Sequence, residues 1–180
     1  MHYNDTGIKD LHAYHSTLLA RFIRYIMFHI VLFEPEIPPN TGNIIRLSAN
    51  TGASLHLIHP LGFKIEDKQL RRAGLDYSEF TKIMEYDCFD DYIKKQSPNI
   101  LYAASTKGKV LYSSVNYCPG DAIIFGPESR GLPKNIRDYI GENYVLKIPM
   151  QENSRSLNLS NAVAVIIFEA LRQNNFSFDM

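Results

Sequence analysis

From Phe28 onward the chain alternates short apolar runs with stretches of helical periodicity, a pattern that predicts an α/β domain on a largely parallel sheet. The runs FHIVLF (28–33), SLHLIH (54–59), ILYAAS (100–105), AIIFG (122–126) and YVLKIP (144–149) are each short enough for a buried strand, and each ends near Gly, Pro or a polar cluster. Helices are expected over Thr41–Thr51, Asp67–Arg72, Phe89–Gln96 and Asn158–Gln173. In the first, Asn40 is the expected cap and Gly52 the expected stop. Ile44, Leu47, Ser48 and Thr51 share one side of it, and Asn43, Arg46 and Asn50 the other. The last, with Asn158 as its cap, is apolar almost all the way round, so it needs cover from a partner subunit as well as from its own sheet.

The unusual residues concentrate where strands end. EPEIPPNTGN (34–43), FGPESRGLP (125–133) and IPMQENSRSLNLSN (148–161) are rich in Gly, Pro, Asn and Ser, and ligands of open α/β sheets collect outside the carboxyl ends of the strands. Familiar nucleotide signatures are excluded. Gly126 and Gly131 have the spacing of a phosphate loop, but Leu132 and Pro133 stand where Lys and Ser or Thr are required. No GxGxxG follows the first strand, and neither GxSxG nor HExxH occurs.

Composition narrows the picture further. A chain of 180 residues, 45% hydrophobic, suits one domain with a full core. Lys plus Arg and Asp plus Glu both total 19, so any nucleic-acid site has to be a local patch, such as Lys107 and Lys109 or Lys68, Arg71 and Arg72. Cys88 and Cys118 stand alone and read as reduced thiols, so neither a metal site nor a disulfide is expected. No apolar run reaches the roughly 18 residues of a membrane span. His56 and His59 read as structural or surface residues, because neither has a nucleophile or metal partner nearby in sequence.

The motifs PPNTGNIIRLSANTG, FGPESRGLP and IPMQENSRSLNLSNAVAVIIFEALRQ, with LRRAGLDY (70–77) between them, resemble the ordered motifs of the SPOUT RNA methyltransferases. Within that class they are most similar to the TrmL (YibK-type) tRNA wobble-ribose methyltransferases, and the similarity runs from about Met27 to Gln173. The resemblance implies an α/β-knot whose C-terminal segment is threaded as a deep trefoil knot, a path that general folding rules would not propose. It also implies a cytoplasmic homodimer, S-adenosylmethionine as donor with S-adenosylhomocysteine as product, and the anticodon loop of tRNA as substrate. The reaction it implies is 2′-O-methylation of the wobble pyrimidine, in leucine isoacceptors, with no metal and no membrane. Alternatives within reach of the same motifs are a ribose methyltransferase acting on rRNA or another tRNA position, and a non-catalytic RNA-binding protein of the same fold.

Residue by residue, the resemblance assigns the cofactor to Ala104, Gly126, Ile148, Met150, Ser156 and Leu157. Gly126 permits close backbone approach, Ile148, Met150 and Leu157 offer apolar cover, and Ser156 offers a hydroxyl and an amide. Arg46 is the catalytic candidate. A guanidinium stays protonated and cannot act as a base, but it can clamp a phosphate, orient the ribose and stabilise charge on the attacking oxygen. Asn40, Asn43, Lys107, Arg155 and Asn161 are the expected RNA contacts, and Glu128 reads as a carboxylate that holds its own loop in shape. Close relatives often carry Tyr where Phe168 stands, which marks a point of difference.

The domain is expected to span residues 27–175, with 1–26 as a leader outside it and 176–180 as a tail. A protein lacking residues 1–26 should fold and retain activity; an insoluble or inactive truncation, assayed beside the full chain, refutes that boundary.

Overall fold

The computed structural model describes residues 28–64 and 83–176. The expected helix Asp67–Arg72 with its basic cluster, the leader 1–26 and all of the tail but Phe176 lie outside these residues. In chain order the elements are β1 (Phe28–Phe33), α1 (Pro38–Thr51), β2 (Ser54–Ile58), β3 (Ile83–Tyr86), α2 (Phe89–Gln96), β4 (Leu101–Ala104), β5 (Val110–Leu111), β6 (Asp121–Phe125), α3 (Lys134–Ile140), β7 (Val145–Lys147) and α4 (Leu159–Gln173). Among the described residues the strands form one sheet, ordered β3-β2-β1-β6-β4-β7-β5, and its pairings are parallel.

Both faces of this sheet are covered, which is why its central strands read as unbroken apolar runs. Successive side chains point to opposite faces. Ile30, Leu32, Ile123 and Phe125 enter a core with Ile44 and Ile45 of α1 and Val163, Ile166 and Ile167 of α4. Val31, Phe33, Ala122 and Ile124 enter a second core with Phe89 and Tyr92 of α2 and Ile136 of α3. Strand β7 arrives last and lies between β4 and β5. The Ser105 amide donates to the Leu146 carbonyl at 2.9 Å, and the Tyr112 amide donates to the Lys147 carbonyl at 3.0 Å. The link 105–109 therefore crosses β7, so closely that a Cβ at Gly108 would sit 2.7 Å from the backbone of Val145 and Leu146.

Three elements escaped the sequence pattern. β3 carries Glu85 and is only partly buried, β5 is two residues long, and α3 buries only Ile136, so none has an apolar period long enough to read. The start of α1 also differs from expectation. Pro38 and Pro39, pre-set for helix at the first positions, begin it earlier, with Ile37 at the N-cap and no side-chain cap bond. Asn40 is thereby inside the first turn rather than capping it, and its amide is used elsewhere. Gly52 closes α1 in the left-handed conformation at φ 70°, and Asn158 caps α4 by accepting from the Ser160 amide.

Beneath the sheet face that carries α2, three neighbouring strands place polar side chains in line. His29 Nδ1 lies 2.8 Å from His56 Nε2, and His56 Nδ1 lies 2.9 Å from the Tyr86 hydroxyl. His56 is fully buried, with the rings of Tyr86 and Tyr92 packed against it. Burial, reinforced by His29, pushes the His56 pKa down to about 3, and burial also lowers that of His29. Because the folded pKa values are depressed, the neutral pair contributes stability above the ordinary imidazole pKa of about 6.5, and that contribution is lost as pH falls below it. Between pH 6.5 and 5, where few carboxylates titrate, His56 alone should cost roughly 2 kcal/mol of stability. Urea denaturation across this range should show a flatter pH slope for His56→Leu than for the wild type, whatever the absolute stability of the variant; equal slopes refute the assignment.

Candidate functional site

At the carboxyl ends of β1, β4, β6 and β7 the connecting loops close around a cleft of about 480 Å³. Ala104, Gly126, Ile148, Met150, Ser156 and Leu157 all line it, as do Asn40 and Glu128. Ala104 and Ile148 come directly from strand ends, whereas Met150 and Leu157 remain partly exposed at 38% and 42%. One wall is mainly apolar, adding Leu146 and Ile166 to those side chains. The other is polar, built from the start of α1 and the turn 127–131.

Two glutamates hold the polar wall by gripping each other's loop. Glu128 accepts from the Glu36 amide at 2.8 Å and the Ile37 amide at 3.3 Å. Glu36 in turn accepts from the Ser129 amide at 2.9 Å and the Ser129 hydroxyl at 2.8 Å. Arg130 donates to Glu36 at 2.7 Å and also to Glu34, whose backbone is left-handed at φ 49°. Hydrogen bonds from Ser129, with Arg130 alongside, hold the Glu36 carboxyl below the usual carboxylate range.

Asn40 joins this clamp to the third loop. Its amide nitrogen donates to Glu128 at 2.9 Å, and its amide oxygen accepts from the Asn158 side chain at 2.8 Å. Asn158 meanwhile caps α4 through Ser160, so one run of polar contacts links the loops after β1, β6 and β7. Asn40 is only 5% exposed, as expected for an amide whose groups are taken up inside the protein.

Gly126 is required by close approach, and the neighbour concerned is its own loop. A Cβ there would lie 2.1 Å from the Leu132 nitrogen and 2.4 Å from the Gly131 carbonyl carbon. The turn folds back on itself, with the Gly131 amide donating to the Pro127 carbonyl at 2.8 Å and Gly131 at φ 67°.

Arg46, Asn43, Lys107, Arg155 and Asn161 do not line the cleft. Asn43 and Arg46 are exposed on the outer side of α1, and Arg46 stands about 9 Å along the helix axis from Asn40. Lys107 is exposed in the link 105–109, where its neighbour Lys109 is paired with Glu142 at 2.9 Å. Arg155 lies in the exposed segment 150–158, and Asn161 shares an exposed stripe of α4 with Val165 and Phe168. Glu36, Ser129, Arg130 and Ile37 line or brace the cleft without having been singled out from sequence. The acidic pair flanking Pro35 and the arginine within ESRGLP were the available signal. His59 pairs with Glu85 at the surface, and Cys88 and Cys118 are exposed free thiols. Among the described residues no group of three or more His, Cys, Asp or Glu could hold a metal ion, and no helix is long and apolar enough to cross a membrane.

Comparison with known proteins gives a consistent result. Residues 27–168 match the SpoU rRNA Methylase family. A tRNA (cytidine(34)-2'-O)-methyltransferase of Saccharophagus degradans is 58% identical over 151 residues, spanning 84% of this chain and 98% of that protein. A solved structure described as giving insights into the 2-OH methylation of C/U34 on tRNA is 40% identical, with a TM-score of 0.76 over 84% of this chain and 98% of the other. An AdoMet-bound rRNA methyltransferase from Sinorhizobium meliloti is 26% identical, with a TM-score of 0.71 over 81% of this chain and 56% of that one.

Gly126→Ala should destabilise the fold by on the order of 2–4 kcal/mol, because the atoms it meets are backbone and cannot swing aside. The chemical-denaturation midpoint measures this directly; an unchanged midpoint shows that the turn relaxes freely.

Proposed function

The chain belongs to the SpoU methylase family, and from that premise we propose that it methylates the ribose 2′-hydroxyl of the wobble pyrimidine, nucleotide 34, of tRNA with S-adenosylmethionine as donor. The observation that carries this reading is the single cleft formed by the loops after β1, β4, β6 and β7, lined by all six residues assigned to the cofactor from the motifs. Its volume falls in the range of small-molecule sites, and its division into an apolar and a polar wall suits a ligand with an adenosyl group at one end and a charged amino-acid end at the other.

When bound, S-adenosylmethionine supplies a methyl group already activated by its sulfonium, so the protein's task is to place and polarise the acceptor. Ile148, Leu146 and Leu157 provide apolar contact and exclude water, while Ser156 offers polar contacts beside them. The reciprocal Glu36–Glu128 clamp keeps the polar wall in one geometry before any ligand arrives. Glu128 is thereby engaged in holding the loop after β1 in place of its own, its oxygens taken up by the Glu36 and Ile37 amides and by Asn40. Asn40 is similarly engaged, so its part in RNA recognition is to fix the loops and not to reach outward.

Arg46 remains the residue proposed to act on the substrate. Its place on the outer side of α1 suits a guanidinium that engages the ribose-phosphate of a bound nucleotide from outside the cleft and stabilises charge developing on the 2′-oxygen. Asn43, Lys107, Arg155 and Asn161 are the further proposed RNA contacts, all on exposed segments. A homodimer is proposed from α4, where Val165 is 36% and Phe168 47% exposed on the side away from the core. The activity is placed in the cytoplasm, where tRNA is met, and leucine isoacceptors are the first substrates to examine.

Arg46→Ala should lower kcat/KM by about 10²–10³, the usual effect of removing one transition-state charge partner, with thermal stability little changed. Purified protein with S-adenosylmethionine and unmodified tRNA measures this, and nucleoside mass spectrometry of tRNA from a deletion strain should show the wobble 2′-O-methyl group lost. RNA binding without cofactor uptake or turnover overturns the enzyme reading, and loss of a methyl group elsewhere in RNA redirects it.

A further inference from the structure

The two walls of the cleft are held in different ways. On the polar wall the amides of Glu36, Ile37, Ser129 and Gly131 all donate within the protein, the first three to a carboxylate of the facing loop. The segment between β7 and α4 is not braced like this. Residues 149–158 are exposed throughout. Among the described residues, the one amide from Met150 to Leu157 with an acceptor is that of Ser154, and its partner is Gln151 in the same segment. The Ser154 hydroxyl donates to that same carbonyl at 2.7 Å, and Asn153 between them is left-handed at φ 61°, so the middle of the segment is a small self-contained turn. Its ends are tied to the body. The Lys147 carbonyl accepts from the Tyr112 amide, and Asn158 bonds to Asn40 and caps α4. The apolar core takes up Ile148 and Leu159 on either side, but neither Met150 nor Leu157. Met150, Ser156 and Leu157 line the cleft, and Arg155 beside them does not.

We infer that residues 149–157 form a strap that closes over the bound donor, and that closure fixes Arg155 for the tRNA, so that donor and tRNA bind cooperatively. The inference rests on the methyltransferase reading and adds to it a moving part and a coupling between its two substrates. A segment tethered at both ends and unbraced between them moves at little cost, because few buried contacts and no amide bonds to other segments have to break. An adenosyl group on the apolar wall gives Met150 and Leu157 a surface to cover, and apolar area leaving water draws the strap inward. Arg155 loses its freedom in that same step. The tRNA then meets a guanidinium already placed, and by linkage the bound tRNA favours the donor to the same degree. The polar wall takes no part in this motion, since its amides are already bonded.

Hydrogen exchange of the full chain, read by mass spectrometry with S-adenosylhomocysteine as an unreactive probe, tests the strap. Amides of 150–157 should exchange rapidly in the free protein and about tenfold or more slowly with the probe, whereas peptides covering Ser129 and Gly131 should be slow in both states. Fluorescence anisotropy should show an unmodified tRNA transcript binding several-fold more tightly when the probe is present. Arg155→Gln should remove that gain although the probe still slows the strap amides. Calorimetry establishes that the probe binds. Binding without slower exchange over 150–157, or with equal slowing over 127–131, overturns the strap and leaves the methyltransferase reading in place. Equal tRNA affinity with and without the probe, or a gain that survives Arg155→Gln, overturns the coupling. If the probe does not bind at all, the methyltransferase reading fails and the strap falls with it.

Discussion

The site depends on the buried side chain of Asn40. Its amide donates to Glu128 and accepts from Asn158, and through those two residues it fixes the turn after β6 and the start of α4. A buried polar group left without a partner costs about 1–3 kcal/mol, so an Asn40 that let go would strand itself and loosen two further groups. This coupling makes three loops from distant parts of the chain behave as one wall. Because the contacts lie within the protein, the wall is set before a ligand arrives.

The Glu36–Glu128 exchange works on the same principle with charged acceptors. Each carboxylate accepts backbone amides of the other's loop, bonds that are stronger than their neutral counterparts. Loops at strand ends ordinarily have the freedom to move; here that freedom is removed on the polar side, while Met150 and Leu157 on the apolar side stay partly exposed. A cleft with one fixed wall and one open lip can hold a small donor and still admit a polymer. The residues proposed to meet RNA lie outside that fixed wall, on the exposed faces of α1 and α4 and on the links.

The buried line of His29, His56 and Tyr86 is separate from this machinery. It lies in the core on the other face of the sheet, among Tyr92 and the aliphatics of β1, β2 and β6. There the histidines act as neutral polar links between adjacent strands, and their consequence is for acid stability and not for methyl transfer. A histidine pair seen in sequence does not reveal this. His29 and His56 are 27 positions apart, and only the parallel register of β1 and β2 sets them on one face.

Much of the fold could be read from local pattern, because an unbroken apolar run in a short segment has few uses other than a strand covered on both faces. Residues 28–33 and 122–125 are of this kind, and Gly52 and Asn158 declare helix ends through their own chemistry. The motifs likewise marked the loops that line the cleft, since they carry their turn residues in contiguous stretches. Tertiary structure decided what depends on groups far apart in the chain: that Asn40 ties loops instead of capping α1, that Gly126 makes room for Leu132, and that Glu36 and Arg130 belong to one rim. Glu36 and Ser129 are 93 positions apart, and no local periodicity encodes a hydrogen bond across that distance. Sequence by itself settled the long apolar strands, the periodic helices and the polar turns, though not β3, β5 or α3; only the folded sheet, by bringing the strand ends together, determined which of those turns hold one another.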